Sequence, residues 1–238
     1  MKQTTIFMLL AFFLLNACKK DEMVREPDAS YQPDVSAARF PNSTLITNPY
    51  FPVADGKKYT YEGQTGDGHE VIEEKRLQET RVVEGIECIV VNFKAYLNGI
   101  LIEEAYDWYA QDIDGTVWYF GEEVDNYNPD GTFRDHGGSW EAGVDGAKAG
   151  IIMPANPTLG LGYREEYFFN EAEDEAEITA VNLQVSIPFG NFTNCIETRN
   201  WTELEPDLVE KKYYAPSIGL VKEINPADNE EIILISIQ

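Results

Sequence analysis

The residues of this chain that could do chemistry are mostly carboxylates, amides and aromatic rings. Between Asp107 and Glu123 it reads DWYAQDIDGTVWYFGEE, with acids and rings around a glycine. Two short runs approach the spacing of a calcium loop, which needs oxygens at positions 1, 3 and 5, glycine at 6 and glutamate at 12. With Asp112 and Asp114 at 3 and 5, Gly115 falls at 6, but Ala110 and Gly121 occupy the ends. Asn126, Asn128 and Asp130 followed by Gly131 fit better at first, then place Arg134 at 9 and Gly137 at 12. Neither is an EF-hand. A Ca2+ site of another kind in these acidic loops is the one cofactor left open. The same residues are explained by a hairpin turning at Asp114-Gly115.

Catalytic signatures are scarcer. His69 and His136 both sit in polar, glycine-flanked stretches, and there is no GxSxG, HExxH, P-loop or glycine-rich dinucleotide turn. A glycosidase needs only two carboxylates at the right separation. Glu141 with Asp145, or Asp107 with Asp112, can be nominated, but 42 acids make such nominations easy. No catalytic residue is assigned. Rings beside acids also suit sugar binding, because a ring stacks on a pyranose while carboxylates accept its hydroxyls. Trp108 shares a face with Ile100 and Ile102 and belongs in a core. The candidates for ligand contact are Trp140, Glu141, Asp145 and Tyr119.

The elements that must position these residues are strands. Val181, Leu183, Val185 and Ile187 alternate with Asn182, Gln184 and Ser186, the period of a half-buried strand. IECIVVNF and EIILISI are apolar on both faces, as strands covered on two sides require. Glu84-Gly85, Asn98-Gly99, Asp114-Gly115 and Asp130-Gly131 supply tight turns, so successive strands pair as an antiparallel meander. HEVIEEKRLQETRVV is expected to be a long, exposed edge strand, and NEAEDEAE to hold a helical turn. Residues 137–162 carry seven of the 18 glycines, and are expected to cover the sheet as a long Gly-rich loop. The fold class is mainly β, a strongly curved sheet or incomplete barrel.

With 42 acids against 18 bases, the net charge is −24, which disfavours nucleic acid and anionic lipid surfaces. Residues 1–17 have a basic start at Lys2 and an apolar run from Ile6 to Leu15, the form of a signal peptide. That run ends in Leu15-Asn16-Ala17-Cys18, which resembles a bacterial lipobox, so Cys18 is the expected lipidation site and membrane anchor. Lys19-Lys20-Asp21-Glu22 looks like the export tag of Bacteroidota surface lipoproteins. Residues 18–47 are expected to be a flexible tether and 48–238 a single β domain. Cys88 and Cys195 remain, either bridged or as two buried free thiols.

The blocks NPYFP, DWYAQDIDGTVWYFGE, GSWEAGVDGAKAGIIMPA and KKYYAPSIGLV occur in that order. From Asn48 onward the chain thereby resembles a bacterial (Bacteroidota-type) family of exported proteins and lipoproteins of unknown function. In that family proline commonly stands where this chain has Ala149, and glycine where it has Ser217. The resemblance implies no activity. The expected function is a non-catalytic binding or accessory lipoprotein of the outer membrane, facing the periplasm or the cell surface. Its ligand, a carbohydrate, a lipid or another small molecule or protein, would lie between the concave sheet and the 137–162 loop. The alternatives are a structural subunit of an outer-membrane assembly and a carboxylate-based hydrolase.

Overall fold

The computed structural model describes residues 25–238. The expected signal peptide and Cys18 lie outside the described residues. Fourteen strands form one antiparallel sheet. They are β1 (Lys58–Gln64), β2 (His69–Val83), β3 (Ile86–Leu97), β4 (Ile100–Gln111), β5 (Val117–Tyr127), β6 (Phe133–Asp135) and β7 (Trp140–Glu141). The second half adds β8 (Gly150–Met153), β9 (Gly162–Arg164), β10 (Asp174–Ile187), β11 (Gly190–Thr202), β12 (Val209–Ala215), β13 (Gly219–Asn225) and β14 (Glu230–Ile237). The order is β6-β5-β4-β3-β2-β1-β14-β13-β12-β11-β10-β9, with β7 and β8 laid along β5. Along that main order only the β1–β14 pairing joins strands that are not consecutive, so the sheet is two meanders sharing a seam.

The hairpins turn where the sequence places them. Glu84 and Gly85 have φ of 49° and 80°, and Asn98 and Gly99 have 52° and 81°, the left-handed pairs of tight hairpin turns. Ser217 also adopts a positive φ of 65°, a conformation that suits glycine better.

Three expectations change. β2 is an edge only in its second half: residues 69–75 lie between β1 and β3, whereas from Arg76 onward the ladder is to β3 alone. Its charges are tolerated there because one face meets solvent and the other, through Glu74, a polar cavity. Residues 170–177 hold a turn followed by the start of β10, without a helical turn. The 137–162 segment does not lie across the sheet. It extends the sheet through β7 and β8, and its far end reaches the opposite rim: the Lys148 amide donates to the Tyr167 carbonyl at 2.8 Å. Gly150 permits that approach, since a Cβ there would fall 2.0 Å from the Glu165 carbonyl oxygen. The sheet thus curls until its two rims touch without closing into a barrel.

The described part of the expected tether, residues 25–47, packs against the sheet and, with residues 48–53, forms a strap over its core. Tyr31 seals the junction of the rims, its ring 5.3 Å from that of Tyr167 and its hydroxyl donating to the Ala149 carbonyl. Phe40 is buried edge-on against Trp118 and Phe120 on the convex face. Ser43 donates to the Glu87 carbonyl, and Gln111 accepts from the Thr47 and Asn48 amides. These anchors are single residues, so no periodicity announced them. Trp108 is in the core as expected, 3% exposed, with the Arg81 guanidinium 3.8 Å above its ring.

Candidate functional site

A curled sheet has a concave face, and its alternate side chains converge. Here they line a cavity of about 310 Å³, at the lower end of the range of small-molecule sites. Nearly every long strand contributes. β4 directs Glu103, Ala105, Asp107 and Tyr109 inward, and β12 directs Glu210, Lys212 and Tyr214. Glu74 enters from β2, Glu223 from β13, Asp174 from β10 and Asn200 from β11.

A bulge aims one of the acids. Tyr109 pairs with Tyr119 and Asp107 with Glu122, so two steps on β4 match three on β5. The extra residue lies beside Gly121, whose φ is 135°. Past it the inward positions of β5 change from odd to even, so Glu122 and Val124 face the cavity while Glu123 is exposed. A Cβ on Gly121 would sit 2.3 Å from the Trp140 carbonyl oxygen, which keeps glycine at this bend.

Ten carboxylic acids line the wall, with Lys212 the single base and no histidine. Asp107 accepts from the Tyr119 hydroxyl at 2.8 Å and shares a carboxyl–carboxyl hydrogen bond with Glu122. Burial pushes Asp107 up to about 7, and burial with the neighbouring Glu166 and Asp107 holds Glu122 well above the carboxylate range. Burial, then Asp107, raises Glu103 to about 8; burial, then Asp174 and Glu165, raises Glu166 well above its usual range. Burial alone would lower the Lys212 ammonium, but Glu223, Glu210 and Glu165 hold it well above an ordinary lysine. Glu165 also accepts from Asn200 at 2.7 Å. Glu103 and Glu166, 3% and 7% exposed, each keep one carboxyl oxygen without a hydrogen-bond partner.

Of the ligand-contact candidates read from sequence, Tyr119 alone lines the cavity. Trp140 is 4% exposed and packs edge-on against Tyr119 at 5.3 Å, behind the wall. Glu141 is held by Arg81, and Asp145 occupies an exposed turn with φ of 50°. Neither lines the cavity. Asp107 and Asp112 are separated: one is in the cavity, the other on the β4–β5 turn.

The calcium candidates have other partners. Asp112 accepts from Arg39, Trp118 Nε1 and the amides of Asp114 and Thr116, while Asp114 binds the same arginine. Burial would raise Asp112, but those hydrogen bonds keep its pKa low. Asn126 donates to Asp135 and Gly137, Asn128 donates to Thr132, and Asp130 accepts from Thr132. Among the described residues no group of three or more His, Cys, Asp or Glu side chains is arranged to hold a metal ion. Cys88 and Cys195 are both buried free thiols, not a disulfide. Cys88 belongs to the large core under the strap and Cys195 to a smaller one near β13 and β14.

The acids that build the site were unmarked in the sequence. They are spread over eight segments, and each looks like an ordinary surface residue of its strand. The available signal was the inward alternation of Glu103, Asp107 and Tyr109 opposite a face that is apolar except for Glu104.

No protein-family profile and no curated protein matches this chain. Among solved structures it is similar to a chain described as an exported protein with a YmcC-like fold from Bacteroides fragilis. That match has 17% identity and a TM-score of 0.45, and covers 79% of this chain and 98% of the other. It is also similar to a chain described as a lipoprotein from Parabacteroides distasonis, at 13% identity and a TM-score of 0.41, covering 80% of this chain and 99% of the other.

Proposed function

We propose that this protein is a non-catalytic binding lipoprotein of the cell envelope, anchored through lipid on Cys18 in the outer membrane, with its ligand inside the curled sheet. The observation that carries the reading is the cavity: it is preformed, lined from almost every strand, and furnished with acids whose burial costs stability. Carboxyls retained in such a place are a common mark of a functional site. The calcium and sugar readings of the loops lose their support, because those residues are committed to turns, ion pairs and the core.

The strap alters the picture of the anchor. Arg25 is fixed by Glu173 and Glu203, beside the start of β10 and the end of β11. Seven residues from Cys18 reach at most about 25 Å even when extended. The domain therefore sits close to the bilayer with that end of the sheet nearest it.

A panel of glycans, fatty acids, alcohols, amines and metal salts screened by thermal shift tests the binding reading. A compound that fits the cavity raises the melting temperature with concentration, about 2.7 kcal/mol of stabilisation at a hundredfold excess over Kd. A flat response to every class would refute it. Cys18→Ser is expected to move the protein from the membrane to the soluble fraction; retention in the membrane would reject the anchor.

A further inference from the structure

The cavity is polar at one end and apolar at the other. β2, β4, β10, β12 and β14 run in the same direction and begin at the same end of the sheet. Along β4 the inward series is Glu103, Ala105, Asp107, Tyr109, and along β12 it is Glu210, Lys212, Tyr214. Asp174 opens β10 at the acidic end. At the other end Phe51 of the strap packs on Tyr109 at 5.0 Å, and Tyr109 stacks on Tyr119 at 4.7 Å. Ile218 and Leu220 complete that apolar floor.

Resting on the reading of the cavity as a ligand site, we propose that its ligand is an amphiphilic organic cation, an ammonium head on an apolar body. The head would lie among Glu103, Asp107, Glu166 and Asp174, with the body against Tyr109 and Leu220.

Three observations support this class. The wall carries ten acids against one base, so it offers many acceptors to a cationic head and little to hold an anionic one. Glu103 and Glu166 keep carboxyl oxygens free of hydrogen bonds although almost fully buried. A buried acceptor without a donor is costly, and an N–H donor on the ligand would satisfy it. The acids are distributed around the wall and not gathered: none of them forms a group able to hold a metal ion. An ammonium group, with several donors and an attached hydrocarbon, matches such a wall better than a bare cation. Neighbouring tyrosine faces add a further attraction for it.

The test uses three probes with one body and three heads: octylammonium, octanol and octanoate, titrated calorimetrically into the full chain carrying Cys18→Ser. Octylammonium is expected to bind one to one, at least tenfold tighter than octanol, with octanoate weakest. Equal or tighter binding of octanol or octanoate would overturn the cationic preference while leaving the cavity a ligand site. No binding by any probe would overturn both. Glu103→Gln with Glu166→Gln is expected to weaken octylammonium at least tenfold and leave octanol unchanged. Glu123→Gln, on the exposed face of β5, should change neither. If the double variant loses cooperative unfolding, either single substitution makes the same comparison. Unaltered octylammonium affinity in a folded variant would reject the assignment.

Discussion

Glu103 shows at the scale of one residue how the wall stores unfavourable electrostatics. Its carboxyl is buried beside Asp107 and titrates near 8, well above an unfolded glutamate. Glu223 behaves alike at about 8, and Glu70, Glu74, Asp107 and Asp174 lie near 7, each chiefly through burial. The folded state thus binds protons more tightly than the unfolded chain. The stability from these groups is complete below the unfolded carboxyl pKa, near 4, and is lost as pH rises through 7–8. Asp112 and Glu104 work in the opposite sense. Burial would raise them, but Arg39 on the one and Asn92 with Lys94 on the other hold them low, so their contribution is lost in acid. The melting temperature is expected to peak near pH 5 and decline towards pH 8. Glu103→Gln should raise it at pH 8 by roughly 2–4 °C, the shift that about 1 kcal/mol gives in a chain this size, and change it little at pH 5. Scanning calorimetry across pH 4–9 checks both; a melting temperature that climbs steadily to pH 8 contradicts them.

At the scale of elements, two glycines govern how strands meet. Gly121 lets β7 lie against the bulge that turns Glu122 inward, and Gly150 lets one rim of the sheet reach the other. Gly150→Ala would press a methyl group onto the Glu165 backbone, so the rims must part locally. Overpacking of this kind costs about 1–3 kcal/mol. Hydrogen exchange should show faster exchange at the Lys148 amide, with β2 and β3 unaffected; unchanged protection at Lys148 would mean the rims do not depend on this contact. The meander itself was legible, because Asn-Gly, Asp-Gly and period-two alternation act between neighbours in sequence. The bulge was not, since it is fixed by pairing across strands.

At the scale of the whole molecule, the strap behaves as part of the domain. Arg39 binds Asp112 and Asp114 at the β4–β5 turn, Phe40 fills the convex core, and Asn48 donates to the carbonyls of Gly115 and Pro154. Phe40→Ala is expected to destabilise the protein by about 3–5 kcal/mol, the usual cost of emptying a buried aromatic site. Urea unfolding measures it, and a loss below 1 kcal/mol would restore the free-tether description. Arg25, the first described residue, pairs with Glu173 where β10 begins, on the side of the acidic end of the cavity.

What the residues determined unaided was local. Alternation put Trp108 and Val185 inside, paired turn residues set the hairpins, and the absence of catalytic motifs turned attention away from the histidines. Closure, the strap and the site were decided only in three dimensions. Curvature brings together carboxyls more than a hundred residues apart, such as Glu103 and Glu223, and no short-range pattern encodes that meeting. The same fold leaves Cys88 and Cys195 in separate cores and keeps Trp140, Glu141 and Asp145 out of the cavity wall.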